Sequence, residues 1–586
     1  MITWQHDNMI TKNKFCLAKF INVTMLKCYN AIMNNWSWLS YWVVFSFSFI
    51  IFLYIILVPP GIICPDGFYH TKMALMLKEG KIIQDFPWMQ FTTYKDLFVD
   101  HHLGFHWLLV PFLSLPTPNN LDALSAEIDP LIKAKLAIVF FASLVFLAIY
   151  WFLRFLKTKQ PLVWTLVGFL TAAFLTRLSL VRAPVISVSI LILGYYFILK
   201  KKYLLLFLLS YLYVLSYGAW PLILVVTIIY CLAGSLKYLF DHLYLLKLKF
   251  ENKKINIFAF YFSHLWRGFF KKNNLKLIFS CIFGLTAGMI INPYFPKTIP
   301  FYWFQTVKIA ILNYQSKVGV GAEWYPFDLD NLVLYNLPIF IPFLISISWF
   351  FVFIKKQRKT GWFLFLLSIF FFFYTLKARR NIEYFIPVAI FFCGFMFTQI
   401  AKKINWLKIK KQLKENFKGS NNIFYFVITL FFAVFCGQFL TDYINRGIYQ
   451  ERKSQIDNPS INHLQAASLW LKQNSQPQEI IFQSSWDEFP LLFYFNDKNY
   501  YINGLDQTFM YEKDKDLYKT WLNLASGLAD PKDVAQIIKE KFHASYILLD
   551  KKDKEFANLL KKSKIEKTYE DEESIIFRLK ETSPAI

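Results

Sequence analysis

Long runs of apolar residues, separated by short clusters of Lys and Arg, make up most of the chain between about residues 41 and 445. A helix needs about 20 mainly apolar residues to cross the hydrocarbon core of a bilayer. On that rule the sequence predicts about eleven transmembrane helices, because backbone groups in hydrocarbon must be hydrogen-bonded within their own segment. Their centres are Ser48, Phe146, Gly168, Leu193, Leu208, Val226, Gly284, Leu344, Leu366, Phe391 and Leu430.

The basic clusters determine the expected orientation in the membrane. They occupy residues 154–159, 200–202, 247–276, 355–359 and 402–418, and with the predicted spans they all fall on the side of the N-terminus. Cytoplasmic loops are enriched in Lys and Arg, so this side is expected to be cytoplasmic. The opposite side then receives the loops 59–133 and 292–331 and everything after residue 441. The C-terminus is therefore expected outside the cytoplasm.

One apolar stretch within the first outer loop, residues 103–115, is short for a span. Counting it would also move the basic cluster at 200–202 to the outside. Two interpretations keep the topology. The stretch is either a helix in the outer membrane interface or a loop helix that packs on the bundle.

The composition changes after the last predicted span. From about residue 450, polar and charged residues alternate with short runs that are typical of strands at 480–483, 545–549 and 574–579. Amphipathic helices are predicted at 461–473 and 531–542, and strands separated by helices indicate a small α/β unit. The sequence thus predicts an α-helical polytopic membrane protein with a C-terminal extracytoplasmic α/β domain. Its parts are a cytoplasmic segment 1–40, a transmembrane domain 41–445 and the outer domain 446–586.

Composition and charge exclude several classes of function. The chain is 56% hydrophobic with a formal net charge of +25, but its basic residues lie between apolar runs, so topology explains them better than nucleic-acid binding does. The seven Cys residues are scattered singly, which indicates neither a disulfide framework nor a thiolate metal site. The first apolar run lacks a cleavage site and is expected to be retained as an anchor. The signature of a phosphate-binding loop is absent, so ATP hydrolysis has no support.

Acidic and imidazole side chains are concentrated in the first outer loop, within the segments 64–70 and 100–106. Ionisable groups at the surface of so apolar a protein are typical of catalytic or ion-binding sites. A transporter would instead place such groups at mid-membrane in repeated halves, and no repeat is evident. A non-catalytic assembly or sensor protein remains an alternative, although it would not need this loop.

This order of parts resembles the GT-C superfamily of membrane glycosyltransferases, with an acidic outer loop, an interfacial helix, many spans and an outer α/β domain. The resemblance implies transfer of a sugar from a polyprenyl-phosphate or polyprenyl-diphosphate donor to a glycan, lipid or protein on the outer face of the plasma membrane. The aromatic- and Lys-rich composition suggests a bacterial source. In that family an Asp of the first outer loop is the catalytic base or a metal ligand. Asp66 and Tyr69 match its Asp-x-x-Tyr pattern.

Two further segments are similar to members of this superfamily. Trp486 and Asp487 correspond to part of the Trp-Trp-Asp segment of oligosaccharyltransferase catalytic subunits, but the remaining residues of that motif are absent. Recognition of a peptide sequon is therefore not implied. The segment 292–296 resembles a recurrent segment of bacterial members. Both Trp486 and Asp487 are expected to contact substrate.

The implied reaction needs a base for the acceptor hydroxyl and positive charge for the leaving phosphate. We expect Asp66 to be the base, with Asp100 as a second catalytic residue. The phosphate is neutralised either by Mg²⁺ or Mn²⁺ held by Asp66, Asp100 and His101, or by arginine, whose planar group suits phosphate. At most one of the consecutive histidines His101 and His102 is expected to be a ligand, because neighbours on a helix do not face one point.

Arginines for the second route lie at the expected outer ends of spans. Arg182 and Arg380 are the main candidates, with Arg177 and Arg379 beside them, although each could instead contact lipid headgroups or a structural acid. The remaining residues expected to bind substrate are Tyr69, His70, His102 and Glu383. Alternatives stay open for three other groups: a hydrogen-bonding role for His70, simple packing for His106, and loop anchoring rather than sugar stacking for Glu323, Trp324 and Tyr325.

Overall fold

The structure is a computed structural model that describes residues 38–117, 123–250, 257–404, 422–457 and 460–579. Nearly all of the predicted cytoplasmic segment 1–40 lies outside the described residues, as do Cys16 and Cys28. Most of the basic cluster 402–418 and a part of the cluster 247–276 also lie outside them.

The described residues up to Asp457 mainly form helices. In chain order they are α1 (Trp38–Leu57), α2 (Asp66–Lys78), α3 (Leu103–Leu113), α4 (Ala123–Phe155), α5 (Pro161–Val167), α6 (Ala172–Ser179), α7 (Pro184–Lys200), α8 (Tyr203–Ser216), α9 (Pro221–Phe250), α10 (Ile257–Phe269), α11 (Lys272–Ile290), α12 (Thr298–Trp303), α13 (Leu329–Leu334), α14 (Leu337–Val352), α15 (Lys359–Lys377), α16 (Ile382–Lys403), α17 (Asn422–Ile444) and α18 (Gln450–Asp457). The apolar faces of these helices form one large buried core.

Six helical segments among the described residues are long and apolar enough to cross a membrane, or seven if one bent pair counts as a span. All eleven predicted centres lie in helical segments. The predicted number of spans is nevertheless not confirmed, because several of these segments are short. The helices α7, α8 and α14 have 17, 14 and 16 residues.

The bent pair replaces the straight span that the sequence predicts around Gly168. Residues Pro161–Leu170 and Ala172–Ser179 meet at an angle of 81°. Thr171 lies between them with an extended backbone, and its hydroxyl donates to the Gly168 carbonyl at 2.7 Å. This hydrogen bond satisfies a carbonyl at the break, which helps to stabilise the bend. The second arm, α6, carries Arg177.

The first outer loop contains the helices α2 and α3, which pack against each other. The helix α3 forms where the sequence predicts one, and its residues Leu103, Phe105 and Leu109 are buried while Trp107 is exposed. Gly104 permits close contact with α8, because a Cβ atom there would lie 2.4 Å from the hydroxyl oxygen of Ser216. The helix therefore packs on the bundle, and this contact positions the histidines at its start.

The C-terminal region contains a five-stranded sheet with the order β2-β1-β3-β5-β4. Strand β1 pairs in parallel with β2 and β3, and β5 pairs antiparallel with β3 and β4. The predicted strands and both predicted helices are confirmed within a few residues. The elements are β1 (Ile480–Gln483), β2 (Tyr500–Tyr501), β3 (Ala544–Asp550), β4 (Glu566–Glu570), β5 (Ser574–Arg578), α19 (Gln465–Asn474), α20 (Phe489–Phe495), α21 (Thr508–Lys513), α22 (Lys515–Ala525), α23 (Val534–Phe542) and α24 (Lys554–Lys562).

This region docks on the first outer loop through polar and aromatic contacts. The backbone N–H of Tyr501 donates to the Trp88 carbonyl at 2.7 Å, and the Trp88 indole N–H donates to the Asp497 carbonyl at 2.7 Å. Lys72 on α2 forms an ion pair with the Asp497 carboxylate at 3.0 Å. The Trp88 ring lies 4.8 Å from the ring of Phe493. These contacts hold α20 against α2 and so place both regions around one cavity.

Candidate active site

A cavity of about 640 Å³ lies where the first outer loop, the loop before α13 and the C-terminal region meet. Acidic, basic and aromatic side chains from segments far apart in sequence line it. Its ionisable and aromatic lining includes Asp66, Tyr69, His70, Tyr94, His101, His102, Arg177, Arg182, Tyr217, Glu323, Trp324, Tyr374, Arg380, Tyr384, Trp486, Asp487 and Asp506.

Glu323 binds three arginine side chains in this cavity. Its Oε2 atom accepts a hydrogen bond from Nη1 of Arg182 at 3.0 Å and another from Nη1 of Arg177, and its Oε1 atom lies 3.2 Å from Nη1 of Arg380. Burial alone would raise the pKa of Glu323, but attraction to Arg182, Arg177 and Arg380 outweighs it and lowers the pKa below its usual range. Glu323 is therefore ionised at neutral pH.

Asp66 is the first residue of α2, and its carboxylate faces the same arginine cluster. Its Oδ2 atom lies 3.1 Å from Nη2 of Arg182. Burial raises the pKa of Asp66, and the attraction of Arg182 opposes this shift only in part. A carboxylate with a raised pKa accepts a proton more readily once it is ionised. Asp66 thus combines basicity with a position beside positive charge.

The other two arginines are held by aromatic and acidic groups in and behind the cavity wall. Arg380 donates to the Tyr217 hydroxyl at 2.6 Å, and its guanidinium carbon lies 4.3 Å from the centre of the Trp324 ring. Arg177 donates from Nε to Glu383 at 2.8 Å, while its Nη2 atom is buried and has no hydrogen-bond partner among the described residues. Fixed guanidinium groups with spare donors are suited to binding an anion.

An acid and two imidazoles form a second polar group on the side of α3. Nδ1 of His106 lies 2.7 Å from Oδ2 of Asp100, and Nε2 of His106 lies 2.8 Å from Nδ1 of His70. All three side chains are buried, and of the three His70 lines the cavity. Burial lowers the pKa of His70 and of His102 well below the usual range, and burial lowers the pKa of His101 to about 4. The histidines that line the cavity are therefore neutral.

The C-terminal region contributes Trp486, Asp487 and Asp506 to the opposite wall. Burial raises the pKa of Asp506, although its carboxylate accepts a hydrogen bond from the backbone N–H of Thr508 at 2.8 Å. Asp487 accepts a hydrogen bond from the Ser485 hydroxyl. An indole face beside carboxylates is an arrangement that suits the apolar face and the hydroxyl groups of a sugar.

Comparison with solved structures finds similar chains of low sequence identity. The archaeal oligosaccharyltransferase AglB from Archaeoglobus fulgidus, in complex with an inhibitory peptide and a dolichol-phosphate, aligns with a TM-score of 0.56 and 13% identity over 87% of this chain and 69% of that chain. The same organism's oligosaccharyltransferase tethered to an acceptor peptide aligns with a TM-score of 0.54 and 14% identity over 92% and 74%. This chain has the GT-C fold.

Other comparisons add less to the GT-C assignment. ArnT from Cupriavidus metallidurans, bound to undecaprenyl phosphate, aligns over 93% of this chain and 98% of that one, at 12% identity and a TM-score of 0.47 that is too low to support an argument. No protein-family model matches the sequence, and no curated protein matches it. At this low sequence identity, the similarity to the solved structures concerns the fold alone.

Most of the residues expected at the site line the cavity of this GT-C fold. Two of them lie behind the cavity. Asp100 was expected to be catalytic, and its carboxylate faces His106. Glu383 was expected to bind substrate, and its carboxylate faces Arg177. Neither side chain therefore lines the cavity. Those that line the cavity are Asp66, Tyr69, His70, His101, His102, Arg182, Arg380, Trp486 and Asp487.

The expected metal ligands Asp66, Asp100 and His101 do not form a metal site. Asp66 is paired with Arg182 and Asp100 with His106, and no group of three acidic, histidine or cysteine side chains within the described ranges could hold an ion. The guanidinium groups that face Asp66 replace the expected ligands there. We therefore derive no step through a metal.

Sequence reasoning underrated several residues of the cavity. Glu323 was treated mainly as a loop anchor, His106 as a packing residue and Arg177 as a minor candidate, whereas each bonds a residue of the site. The presence of Asp100 and His106 in one short segment of the first outer loop was the available signal for the second polar group. No signal in the sequence marks Asp506.

Proposed function

We propose that this protein is a membrane glycosyltransferase that moves a sugar from a polyprenyl-phosphate or polyprenyl-diphosphate donor to a hydroxyl group of a glycan, lipid or protein. The observation that carries this proposal is the position of Asp66 beside Arg182, Arg177 and Arg380 in one cavity. An enzyme of this class needs a base and an anion-binding group within the length of one sugar phosphate.

The arginine cluster is suited to the donor phosphate. Each guanidinium group offers several donors in a fixed plane, and three of them converge on the single carboxylate of Glu323. A phosphate placed there would carry more negative charge than that carboxylate does and accept more hydrogen bonds. As the bond between the anomeric carbon and the phosphate breaks, the fixed positive charges stabilise the negative charge on the leaving group.

Asp66 is the proposed proton acceptor for the attacking hydroxyl. In this step a bond forms from the acceptor oxygen to the anomeric carbon, the bond from that carbon to the phosphate oxygen breaks, and the hydroxyl proton moves to Asp66. Because Arg182 contacts Asp66 directly, a phosphate bound to Arg182 would lie close to the base. On the other wall, Trp486 and Asp487 are proposed to contact the acceptor.

The donor class is proposed from the neighbouring structures together with the cavity. One archaeal oligosaccharyltransferase structure contains a dolichol-phosphate, which is a polyprenyl-type lipid phosphate. The proposal places the cavity and the domain 446–586 on the extracytoplasmic face of a plasma membrane, with residues 41–445 as the transmembrane domain. We do not carry over the peptide acceptor of that enzyme.

The test is a transfer assay with purified protein in lipid vesicles. A panel of undecaprenyl-phosphate-linked glucose, galactose and mannose is supplied as donor, and release of undecaprenyl phosphate is measured with water and with undecaprenyl-linked disaccharides as acceptors. We expect release with at least one donor and a loss of about 100-fold or more in Asp66→Asn, since general base catalysis typically contributes that much.

The matched control is Asp85→Asn, which changes an exposed carboxylate of the same loop that pairs with Lys297. This variant should release undecaprenyl phosphate at the rate of the unmodified protein. A protein whose release is unaffected by Asp66→Asn, while the variant folds and binds undecaprenyl phosphate normally, would not be the proposed transferase.

A further inference from the structure

The chain of hydrogen bonds from Asp100 through His106 to His70 is not used by the proposed reaction. Asp100 and His106 are 4% and 0% exposed, so neither can meet a substrate without a rearrangement. His70 is also buried, yet it lines the cavity. Asp100 contacts His106, and His106 contacts His70. Through this chain, Asp100 determines which ring nitrogen of His70 carries hydrogen.

The direction of the hydrogen bonds follows from the donors and acceptors available. In the arrangement tested below, Oδ2 of Asp100 is the acceptor for the hydrogen on Nδ1 of His106. With its ring hydrogen on Nδ1, His106 accepts at Nε2, and Nδ1 of His70 donates to it. Nε2 of His70 is then left without hydrogen. Burial, with the nearby charge of Arg182, lowers the pKa of His70, which keeps this ring neutral.

We propose that His70 accepts a hydrogen bond from a hydroxyl group of the donor sugar, and that Asp100 fixes this polarity through His106. His70 follows Asp66 by four residues on α2, so both side chains lie on the same face of one helical turn. A sugar joined to a phosphate at Arg182 would lie beside Asp66 and within reach of His70. This assignment rests on the proposed function; His70 is the substrate-binding residue, and Asp100 and His106 are positioning residues.

One substitution should reverse the polarity while it preserves the shape of the site. Oδ1 of Asp100 accepts a hydrogen bond from the backbone N–H of His102 at 3.1 Å, and this N–H can only donate. In Asp100→Asn the amide oxygen must therefore keep this position, which turns the amide NH₂ towards Nδ1 of His106. Both histidines would then carry hydrogen on Nε2, and His70 would present a donor to the cavity instead of an acceptor.

Nitrogen NMR of the histidine rings tests the polarity without any ligand. The full chain, with its nine histidines labelled with ¹⁵N, is reconstituted in lipid vesicles, and the signals of His70 and His106 are assigned by their loss in His70→Gln and His106→Gln. We expect both rings to carry hydrogen on Nδ1 in the unmodified protein and on Nε2 in Asp100→Asn, with no change in Asp85→Asn. Hydrogen on Nε2 of His70 in the unmodified protein, or a cationic His106, overturns the inference.

Ligand binding tests the sugar contact separately. The probes are undecaprenyl phosphate and the undecaprenyl-phosphate-linked hexose with the highest release in the panel, titrated against each variant. His70→Gln keeps an acceptor near the position of Nε2, whereas His70→Asn reaches only the position of Nδ1. We expect His70→Asn and Asp100→Asn to weaken binding of the sugar-linked probe roughly 10-fold relative to undecaprenyl phosphate, and His70→Gln to stay within a few-fold.

The two proposals fail in different ways. If all variants bind both probes equally, or if His70→Gln is as weak as His70→Asn, His70 does not contact the sugar, even where Asp66→Asn abolishes release. If no donor is turned over but the NMR spectra show the expected reversal, the proposed transfer fails while the polarity of the hydrogen-bonded chain stands.

Discussion

Asp66 and Glu323 are bound by the same guanidinium group, that of Arg182, at 3.1 Å and 3.0 Å. One arginine thus connects the proposed base to the carboxylate that occupies the arginine cluster. A phosphate that binds Arg182 must compete with Glu323, and by drawing the guanidinium group towards itself it would weaken the pairing with Asp66. Binding of the donor and basicity of Asp66 are therefore expected to be coupled.

Glu323→Gln should strengthen the binding of undecaprenyl phosphate. The amide keeps the size of the side chain but removes the negative charge that competes for Arg177, Arg182 and Arg380, so we expect an affinity roughly 10-fold higher. Without ligand the same variant should be less stable, by an amount on the order of 3 kcal/mol, because three partly buried cations lose their shared counter-charge. Tryptophan fluorescence titration and thermal unfolding in detergent measure the two effects.

Asp328→Asn is the matched control for this experiment. Asp328 lies in the same loop but is exposed, and its nearest cation is Arg379 at 3.7 Å. Neither affinity nor stability should change in this variant. Equal affinity of Glu323→Gln and the unmodified protein for undecaprenyl phosphate would mean that Glu323 does not occupy the phosphate site.

Arg380→Lys should impair donor binding although it preserves the charge. Arg380 uses one edge to bind the Tyr217 hydroxyl and Glu323 while its plane stacks on Trp324, and an ammonium group cannot reproduce that geometry. We expect undecaprenyl phosphate to bind roughly 10-fold more weakly. The neighbouring Arg379 is about half exposed and contacts the Pro326 carbonyl, so Arg379→Lys should bind normally. A similar loss in both variants would point to a general effect of charge at this turn.

The sequence was sufficient for the features that depend on local pattern. Apolar runs located helical segments at all the predicted span centres, and short runs of strand-forming residues located β1, β3 and β5. Two strands were not predicted, for local reasons: β2 has only two residues, and β4 has the sequence Glu-Lys-Thr-Tyr-Glu, whose charges are typical of a loop. The bend after Gly168 was missed because the apolar run continues through it.

The site was harder to predict because its contacts are long-range. Asp66 could be identified from its place after the first span, and Arg182 and Arg380 from their places at helix ends. The role of Glu323 could not, because its partners Arg182 and Arg177 lie 141 and 146 residues away in sequence. Pairing between such distant residues leaves no local pattern, and only the fold brings them together.

Trp88→Ala should loosen the contact between the C-terminal region and the first outer loop. It removes the hydrogen bond to the Asp497 carbonyl and the packing against Phe86 and Phe493, which we expect to cost about 3 kcal/mol. Hydrogen exchange should then rise in α20 and at Tyr501. Trp107→Ala, which removes an exposed indole of the same loop, is the control and should leave this exchange unchanged. Unaltered exchange in Trp88→Ala would show that other contacts dominate the docking.

Glu451→Gln should stabilise the protein at alkaline pH and have little effect in acid. Glu451 lies on α18, where burial raises its pKa from 4.5 to about 7 and Thr176 donates a hydrogen bond to its carboxyl group at 2.6 Å. Below pH 4.5 both the folded and the unfolded states hold the proton, so the group does not affect the balance between them. As the pH rises towards 7 only the unfolded state releases the proton, so stability falls, and above 7 the folded protein bears the full cost of a buried charge.

The raised pKa of Glu451 corresponds to a loss of about 3 kcal/mol of unfolding free energy at pH 8. The neutral amide of Glu451→Gln should recover this free energy, and it can still hydrogen-bond to the Thr176 hydroxyl. Thermal unfolding between pH 4 and 8 measures the difference between Glu451→Gln and the unmodified protein, which should grow with pH. Glu540→Gln, an exposed change on α23, should show no such trend. A difference that stays constant across this range would mean that the pKa of Glu451 is the same in the folded and unfolded states, with the effect of burial offset by a neighbouring group.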